Sequence, residues 1–303
     1  MMKNKITIGV DIGGTKTKVG YLDEENKAKI IGYAATSQNP VEAINNIIRI
    51  IRSAQLPGEI GKIGIVCPGP LNQETGVILS PPNLLQWDNF PLVDILQKEF
   101  GVEVILENDA NAGALGEAVF GAAKDANTLL YFSLSTGIGA GIVINKKVHA
   151  GYKGLAGEIW CVPPKYFGAN TGEKSITELS SGNGMTKIAK EKIARGVETI
   201  ICNQKPSSVG IFDSYRKGDK LAIELIEKAR EILNGTIVFS SCLLAPDVIV
   251  LGGGLTNDPD LFFHPLQEMF KESMPLKELK DTPIIKSSLD NDSVIYGALA
   301  LGL

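Results

Sequence analysis

The sequence predicts an α/β protein. Short β-branched strands alternate along the chain with amphipathic helical patterns, the order expected of sheets covered by helices. Two strand–glycine turn–strand units, one near the N-terminus and one over 129–144, place Gly and Thr at similar spacing, a weak internal repeat. A third glycine site, Gly252-Gly253-Gly254, again closes an apolar strand.

Ile6–Val10 is short and β-branched and runs into Asp11-Ile12-Gly13-Gly14-Thr15. Beyond this turn Thr17, Val19 and Tyr21 alternate with Lys18, Gly20 and Leu22, the two-residue period of a strand. The first glycine loop therefore joins strand to strand. P-loops and dinucleotide loops run from strand into helix, and neither motif stands here. Ile44, Ile47, Ile48 and Ile51 give Val41–Ala54 helical spacing behind Pro40. Ile63–Val66 reads as a buried strand stopping at Pro68-Gly69-Pro70, Leu92–Phe100 as a helix, and Val102–Leu106 as a strand. Ala110–Val119 is a small-residue helix opening after Glu107-Asn108-Asp109. Strands Leu129–Leu134 and Ala140–Ile144 flank Ser135-Thr136-Gly137-Ile138-Gly139.

Trp160–Lys174 lacks periodicity and reads as a loop. Helical patterns return over Gly184–Ala194 and Lys220–Leu244, the second ending at Pro246 before strand Val248–Leu251. A small-residue helix, Ser293–Leu301, closes the chain. The expected boundary is the join near Asp109: residues 1–109 with about 290–303 form a smaller α/β domain, and 110–289 a larger one.

Length and composition exclude several classes. The 303 residues suit one large or two medium domains, and 44% hydrophobic content fills a core. A formal charge of -4 argues against a nucleic-acid partner, which calls for a basic patch. Cys67, Cys161, Cys202 and Cys242 form no CxxC pair and suggest no disulfide framework. The N-terminus lacks a signal-like apolar region, and no apolar run reaches the roughly 18 residues of a membrane span. The expectation is a soluble cytoplasmic protein with no membrane or nucleic-acid partner.

Several constellations carry chemistry. Gly13 and Gly14 let backbone N–H groups turn inward toward phosphate oxygens, Thr15 adds a hydroxyl, and Asp11 offers a carboxylate for Mg²⁺, directly or through water. The same residues also fit an ordinary tight hairpin. Thr136-Gly137 forms a second candidate phosphate loop, and Gly252–Gly254 suits either close approach of a ligand or steric accommodation of the chain. Asp109 sits at a strand-to-helix junction, where it is either an N-cap or the base that accepts a hydroxyl proton in phosphoryl transfer. Glu158 and Glu178 are surface acids or bidentate acceptors for a polyol.

These motifs resemble the ROK (repressor, open reading frame, kinase) sugar kinases, most closely the glucokinase-like members, over nearly the whole chain. The resemblance rests on DIGGTK at 11–16, PGP at 68–70, SPPNLLQW at 80–87, ENDANAGALGE at 107–117, STGIGAGIVIN at 135–145, AGE at 156–158 and the late LGGG. It implies two actin-like (ribonuclease H-like) α/β domains around a central cleft. It also implies an ATP-dependent, Mg²⁺-requiring hexose kinase acting most simply on glucose to give glucose 6-phosphate. Mannose, fructose, an N-acetylhexosamine or a β-glucoside are the alternative acceptors, and a non-catalytic sugar-binding protein is the alternative role. By position the resemblance makes Asp109 the base. Gly69, Asn83, Asn108, Glu158 and Glu178 become sugar contacts, with Asp109 among them. Asp11, Gly13, Gly14, Thr15, Lys16, Thr136, Gly137, Gly253 and Gly254 fall on the ATP side. A homo-oligomer, first of all a dimer, is the expected assembly.

The chain departs from the resemblance in one place. Many relatives follow the first sugar Glu with a His three residues on and a CxCGxxGC run that together bind structural zinc. Here Cys161 takes the His position and Gly168–Thr177 contains no cysteine. One thiol makes no tetrahedral site, so no structural zinc is expected. Family members that act as repressors carry a helix-turn-helix domain first. With a phosphate loop beginning at residue 11, no such domain is expected ahead of it.

Overall fold

The computed structural model describes residues 5–81, 83–167, 171–203 and 206–303. Strands β1 (Lys5–Ile12) and β2 (Lys16–Leu22) pair antiparallel with Asp11 opposite Lys18, and β3 (Ala28–Ala35) extends the meander. Helix α1 (Pro40–Ser53) starts where the Asn39 side chain accepts the Val41 N–H at 3.0 Å, and it buries Ile44, Ile47 and Ile51. Then come β4 (Glu59–Val66), the two-stranded β5 (Leu71–Asn72) and β6 (Val77–Ile78), α2 (Leu92–Phe100) and β7 (Glu103–Glu107). The first sheet has the order β3-β2-β1-β4-β7, with β1, β4 and β7 parallel.

After α3 (Asp109–Val119) the pattern repeats in β8 (Thr128–Leu134), β9 (Ile138–Ile144) and β10 (Lys147–Val148). Helices α4 (Ile176–Ser180), α5 (Gly182–Ala194), α6 (Ser208–Arg216) and α7 (Lys220–Leu244) precede β11 (Val248–Gly252). The chain ends with α8 (His264–Ser273), β12 (Ile284–Lys286) and α9 (Ser293–Ala300). The second sheet is ordered β10-β9-β8-β11-β12. Numbered within each sheet, both orders read third, second, first, fourth, fifth.

The segment 160–174 is less irregular than its aperiodic sequence suggests, because short 3₁₀ turns occupy Ile159–Cys161 and Pro164–Phe167. Residues 168–170 of the segment where relatives bind zinc lie outside the described residues. No helix among the described residues is long and apolar enough to cross a membrane.

The chain divides into two compact units: Met1–Leu129 with Gly141–Ala156 and Ser287–Leu303, and Leu130–Ala140 with Gly157–Lys286. In the first unit Ile8, Val10 and Ile12 alternate into a core with Ile47, Ile63, Ile65 and the fully buried Trp87. On the opposite face of β1, α9 packs against α3 through Ala112, Ile295, Ala298 and Leu299. A Cβ on Gly297 would lie 1.9 Å from the Ala112 carbonyl oxygen, so the two helix backbones meet only because that residue is glycine.

Glu117, fully buried on α3, fixes the last crossing of the chain in this unit. It accepts from the Ser287 hydroxyl at 2.5 Å, the Ser293 hydroxyl at 3.0 Å and the Leu289 N–H at 3.1 Å. A buried carboxylate is stable there because donors surround it.

Candidate active site

In the first unit the parallel strands end in register. Asp11 pairs with Val66, and Val66 with Glu107. Neighbouring strands lie about 4.8 Å apart, so Asp11 and Glu107 share one rim at the carboxyl ends, where α/β sheets receive ligands. Two residues beyond Glu107, Asp109 opens α3 and is exposed. The helix cap is its neighbour. Asn108 Oδ1 accepts the Asn111 N–H at 2.8 Å, while Asp109 Oδ1 accepts the Ala110 N–H at 2.9 Å. Of the two roles open to Asp109, capping belongs to Asn108.

Electrostatics tie these residues together. Burial pushes the Asp11 carboxyl up to about 6; Lys18, opposite it on β2, pulls it back, while Asp109 and Asp292 raise it further. Lys18 itself donates to Asp292 at 2.6 Å. The Cys67 thiol is driven up by burial and then by the charges of Asp109 and Asp11, which puts it in the same neighbourhood. Glu107 is likewise raised by burial. Hydrogen bonds from Asn111 Nδ2 (3.0 Å), Asn108 N–H (2.7 Å) and Gln73 Nε2 (2.5 Å) oppose that rise and hold the β7–α3 junction.

The glycine turn is closed by Gly13 N–H donating to the Lys16 carbonyl at 3.0 Å. Thr15 is exposed beside it. The Lys16 ammonium rests 3.7 Å from the centre of the Tyr33 ring. Asn83 lies against the turn, since a Cβ on Gly14 would stand 3.3 Å from Asn83 Cβ. Gln38 holds that segment by donating to the Asn83 carbonyl at 3.0 Å and accepting the Leu85 N–H at 3.1 Å. Trp87 anchors it from below by donating to the Ser37 carbonyl at 3.1 Å. Gly69 precedes a cis peptide bond to Pro70.

The second unit gathers the other predicted residues around α4. The loop of Thr136 and Gly137 is held by Gly182 N–H to the Ser135 carbonyl (2.9 Å) and Asn183 N–H to the Thr136 carbonyl (3.2 Å). Ile138 N–H donates to Thr177 Oγ1 at 3.3 Å, which joins the loop to α4. Next to Thr177, Glu178 Oε2 accepts from the Ser175 N–H (2.9 Å) and hydroxyl (3.1 Å) in a capping box. These bonds hold the Glu178 carboxyl below its ordinary range. Ile176 N–H donates to the Val162 carbonyl at 2.9 Å, so α4 also carries the turn that follows Glu158. Gly253 has φ +89, and a Cβ there would lie 2.5 Å from the Leu134 carbonyl oxygen. At that position the backbone itself requires glycine, whatever ligand is present. Gly254 stands 3.9 Å from Ser135 Oγ by the same measure.

Lys18, Gln38 and Gln73 in the first unit and Thr177 in the second carry no local sequence signal, because each acts through a partner distant in the chain. Among the described residues no group of three or more His, Cys, Asp or Glu side chains is placed to hold a metal ion.

Known proteins resemble this chain along its whole length. The glucokinase of Thermotoga maritima is 28% identical over 97% of this chain and 96% of its own. The N-acetyl-D-glucosamine kinase of Haemophilus influenzae is 31% identical over 97% of this chain and 98% of its own. Among solved structures, a Streptomyces griseus ROK family glucokinase in complex with glucose and AMPPNP superposes with a TM-score of 0.78, at 25% identity and 98% coverage of both chains. Residues 7–303 match the ROK family, and the chain belongs to it.

Proposed function

We propose that this protein transfers the γ-phosphoryl group of ATP to a hydroxyl of a hexose, with glucose as the acceptor and Asp109 as the base. It is an ATP-dependent sugar kinase. The observation that carries the reading is the rim of the first sheet, where Asp109 stands exposed within the electrostatic reach of the half-buried Asp11. The kinship with a glucokinase and an N-acetylglucosamine kinase supports a sugar acceptor and leaves the choice of sugar to experiment.

Each side chain has a separable task. Asp109 accepts the proton of the attacking hydroxyl as the O–P bond forms, and the broken bond leaves its electron pair on ADP. Asn108, whose carbonyl oxygen caps α3, keeps its amide N–H groups for a sugar oxygen. Glu158 and Glu178 accept sugar hydroxyls, and Asn83 and Gly69 line the acceptor side. Gly13, Gly14, Thr15, Lys16, Thr136 and Gly137 serve the phosphates, and Gly253 and Gly254 the adenosine.

Asp11 fits a magnesium ion that enters with ATP. Its carboxyl is pushed up to about 6, first by burial and then by two neighbouring acids, and a cation relieves that repulsion. When bound, the ion neutralises phosphate charge. Asp11 would hold it directly or through water.

A coupled ADP-release assay with Mg·ATP across hexoses, N-acetylhexosamines and β-glucosides tests the proposal. Turnover is expected with glucose above the other sugars. A different preferred sugar replaces glucose in the reading, and silence across the panel from folded protein rejects the kinase.

A further inference from the structure

We infer that Trp160 positions the Glu158 carboxylate for the sugar, an inference that rests on reading Glu158 as a sugar ligand. Glu158 lies at the start of the 3₁₀ turn Ile159–Cys161, and two residues on the Trp160 indole N–H donates to Glu158 Oε2. Nothing in the sequence distinguishes this tryptophan from a packing residue. Yet 47% of it is exposed, whereas Trp87 is fully buried.

The neighbouring cysteine takes no part in holding the carboxylate. Cys161 Sγ donates to the main-chain carbonyl of Glu158 at 3.4 Å, so the thiol closes the turn instead of reaching the side chain. The orienting group on this turn is therefore the indole. An indole N–H is a donor only, and a carboxylate has about four lone-pair sites. Trp160 occupies one site on Oε2, which fixes the plane of the group and leaves acceptor sites for sugar hydroxyls. Because α4 packs against this turn and carries Glu178, the orientation set by Trp160 also sets how the two acids present themselves to one polyol.

The test uses three variants and the protein's own fluorescence. W160F removes the donor and keeps a ring, W160H restores a ring N–H, and E158Q weakens the acceptor. With the hexose that turns over fastest, W160F should raise KM about tenfold, the loss expected for a hydrogen bond to a charged group, and lower kcat by less. W160H should recover most of the loss, which a merely structural role would not predict. The chain has two tryptophans, so sugar added without nucleotide should change the emission of wild type and not of W160F. If W160F keeps KM within about twofold of wild type while E158Q raises it, the inference fails and the sugar site stands. If E158Q is also without effect on KM, the assignment of Glu158 fails and takes this inference with it. Absence of both turnover and emission change in wild type rejects the kinase reading as well.

Discussion

The two glycine hairpins sit at equivalent places in sheets of the same strand order, yet they are built differently. The β1–β2 turn is charged. Asp11 precedes it, Lys18 faces Asp11 across the strands, and Asp109 and Asp292 complete the field. The β8–β9 turn has no charged residue between Leu134 and Ile144 and is held by main-chain bonds from α5 and by Thr177. The same backbone turn thus serves two ends. One hairpin concentrates carboxylates where charge must be managed; the other presents neutral backbone where an anion needs only donors. Within the proposed kinase, the charged hairpin would serve the metal and the phosphates it neutralises, and the neutral one would grip the phosphates through its main chain.

The largest test of that division is Asp109→Asn. Losing a general base lowers the rate by about 10²–10⁴. We expect kcat to fall by that factor while the sugar dissociation constant, measured by calorimetry, changes less than about fivefold, because the amide keeps the shape of the side chain. Near-normal kcat would remove Asp109 from the chemistry and, with it, the special status of the first rim.

Asp11→Asn comes next and has two signs to satisfy. If Asp11 holds the metal, directly or through water, its loss should lower kcat/KM for Mg·ATP about 10–100-fold. In wild type, kcat/KM should rise with pH up to about 6, where Asp11 ionises, and then level off; the variant should lose that limb. Stability moves the other way. A carboxyl raised from 3.8 to about 6 in the folded state favours folding below its ordinary value, and that contribution is lost as pH rises through 6. At neutral pH the ionised Asp11 is a cost, so the variant should melt at a higher temperature than wild type. A lower melting temperature at pH 7.5 would show Asp11 to be a structural partner of Lys18.

How much of this was legible in the sequence depends on the range of the interaction. The period-two run after Gly13-Gly14 and the isoleucine spacing of α1 are local patterns, and both elements form as those patterns require. The junction of β7 and α3 is equally plain, down to the amide and acid that share its first turn. Strand β3 is hidden because Gly32 interrupts it and its burial does not alternate cleanly. Helix α8 is hidden behind the π-helical turn Pro259–Phe263, which shifts the phase of its apolar residues. The electrostatics were illegible for another reason. Lys18 and Asp292 lie 274 positions apart, and only the docking of α9 brings them to 2.6 Å. Trp160 shows the same limit at short range: spacing places it beside Glu158, but nothing in spacing says which way an indole N–H points.

The smallest effects sharpen the comparison most, because they ask what glycine is for in each turn. A Cβ on Gly13 would lie 2.9 Å from the Lys16 carbonyl oxygen, and one on Gly137 meets no heavy atom within 4 Å. Gly13→Ala therefore crowds the turn itself and should cost about 1–3 kcal/mol of stability. Gly137→Ala has room and an ordinary backbone, so its stability should stay within about 0.5 kcal/mol of wild type. If Gly137 is there for the phosphates, the added methyl should still raise KM for ATP severalfold at unchanged melting temperature. Thermal melts and ATP titrations on the two variants separate the cases. Loss of stability in Gly13→Ala together with loss of ATP affinity alone in Gly137→Ala would show that the charged turn uses glycine to fold and the neutral turn uses it to bind. Unchanged ATP affinity in Gly137→Ala would remove Gly137 from the grip on the nucleotide, which would have to come from the other residues of its loop.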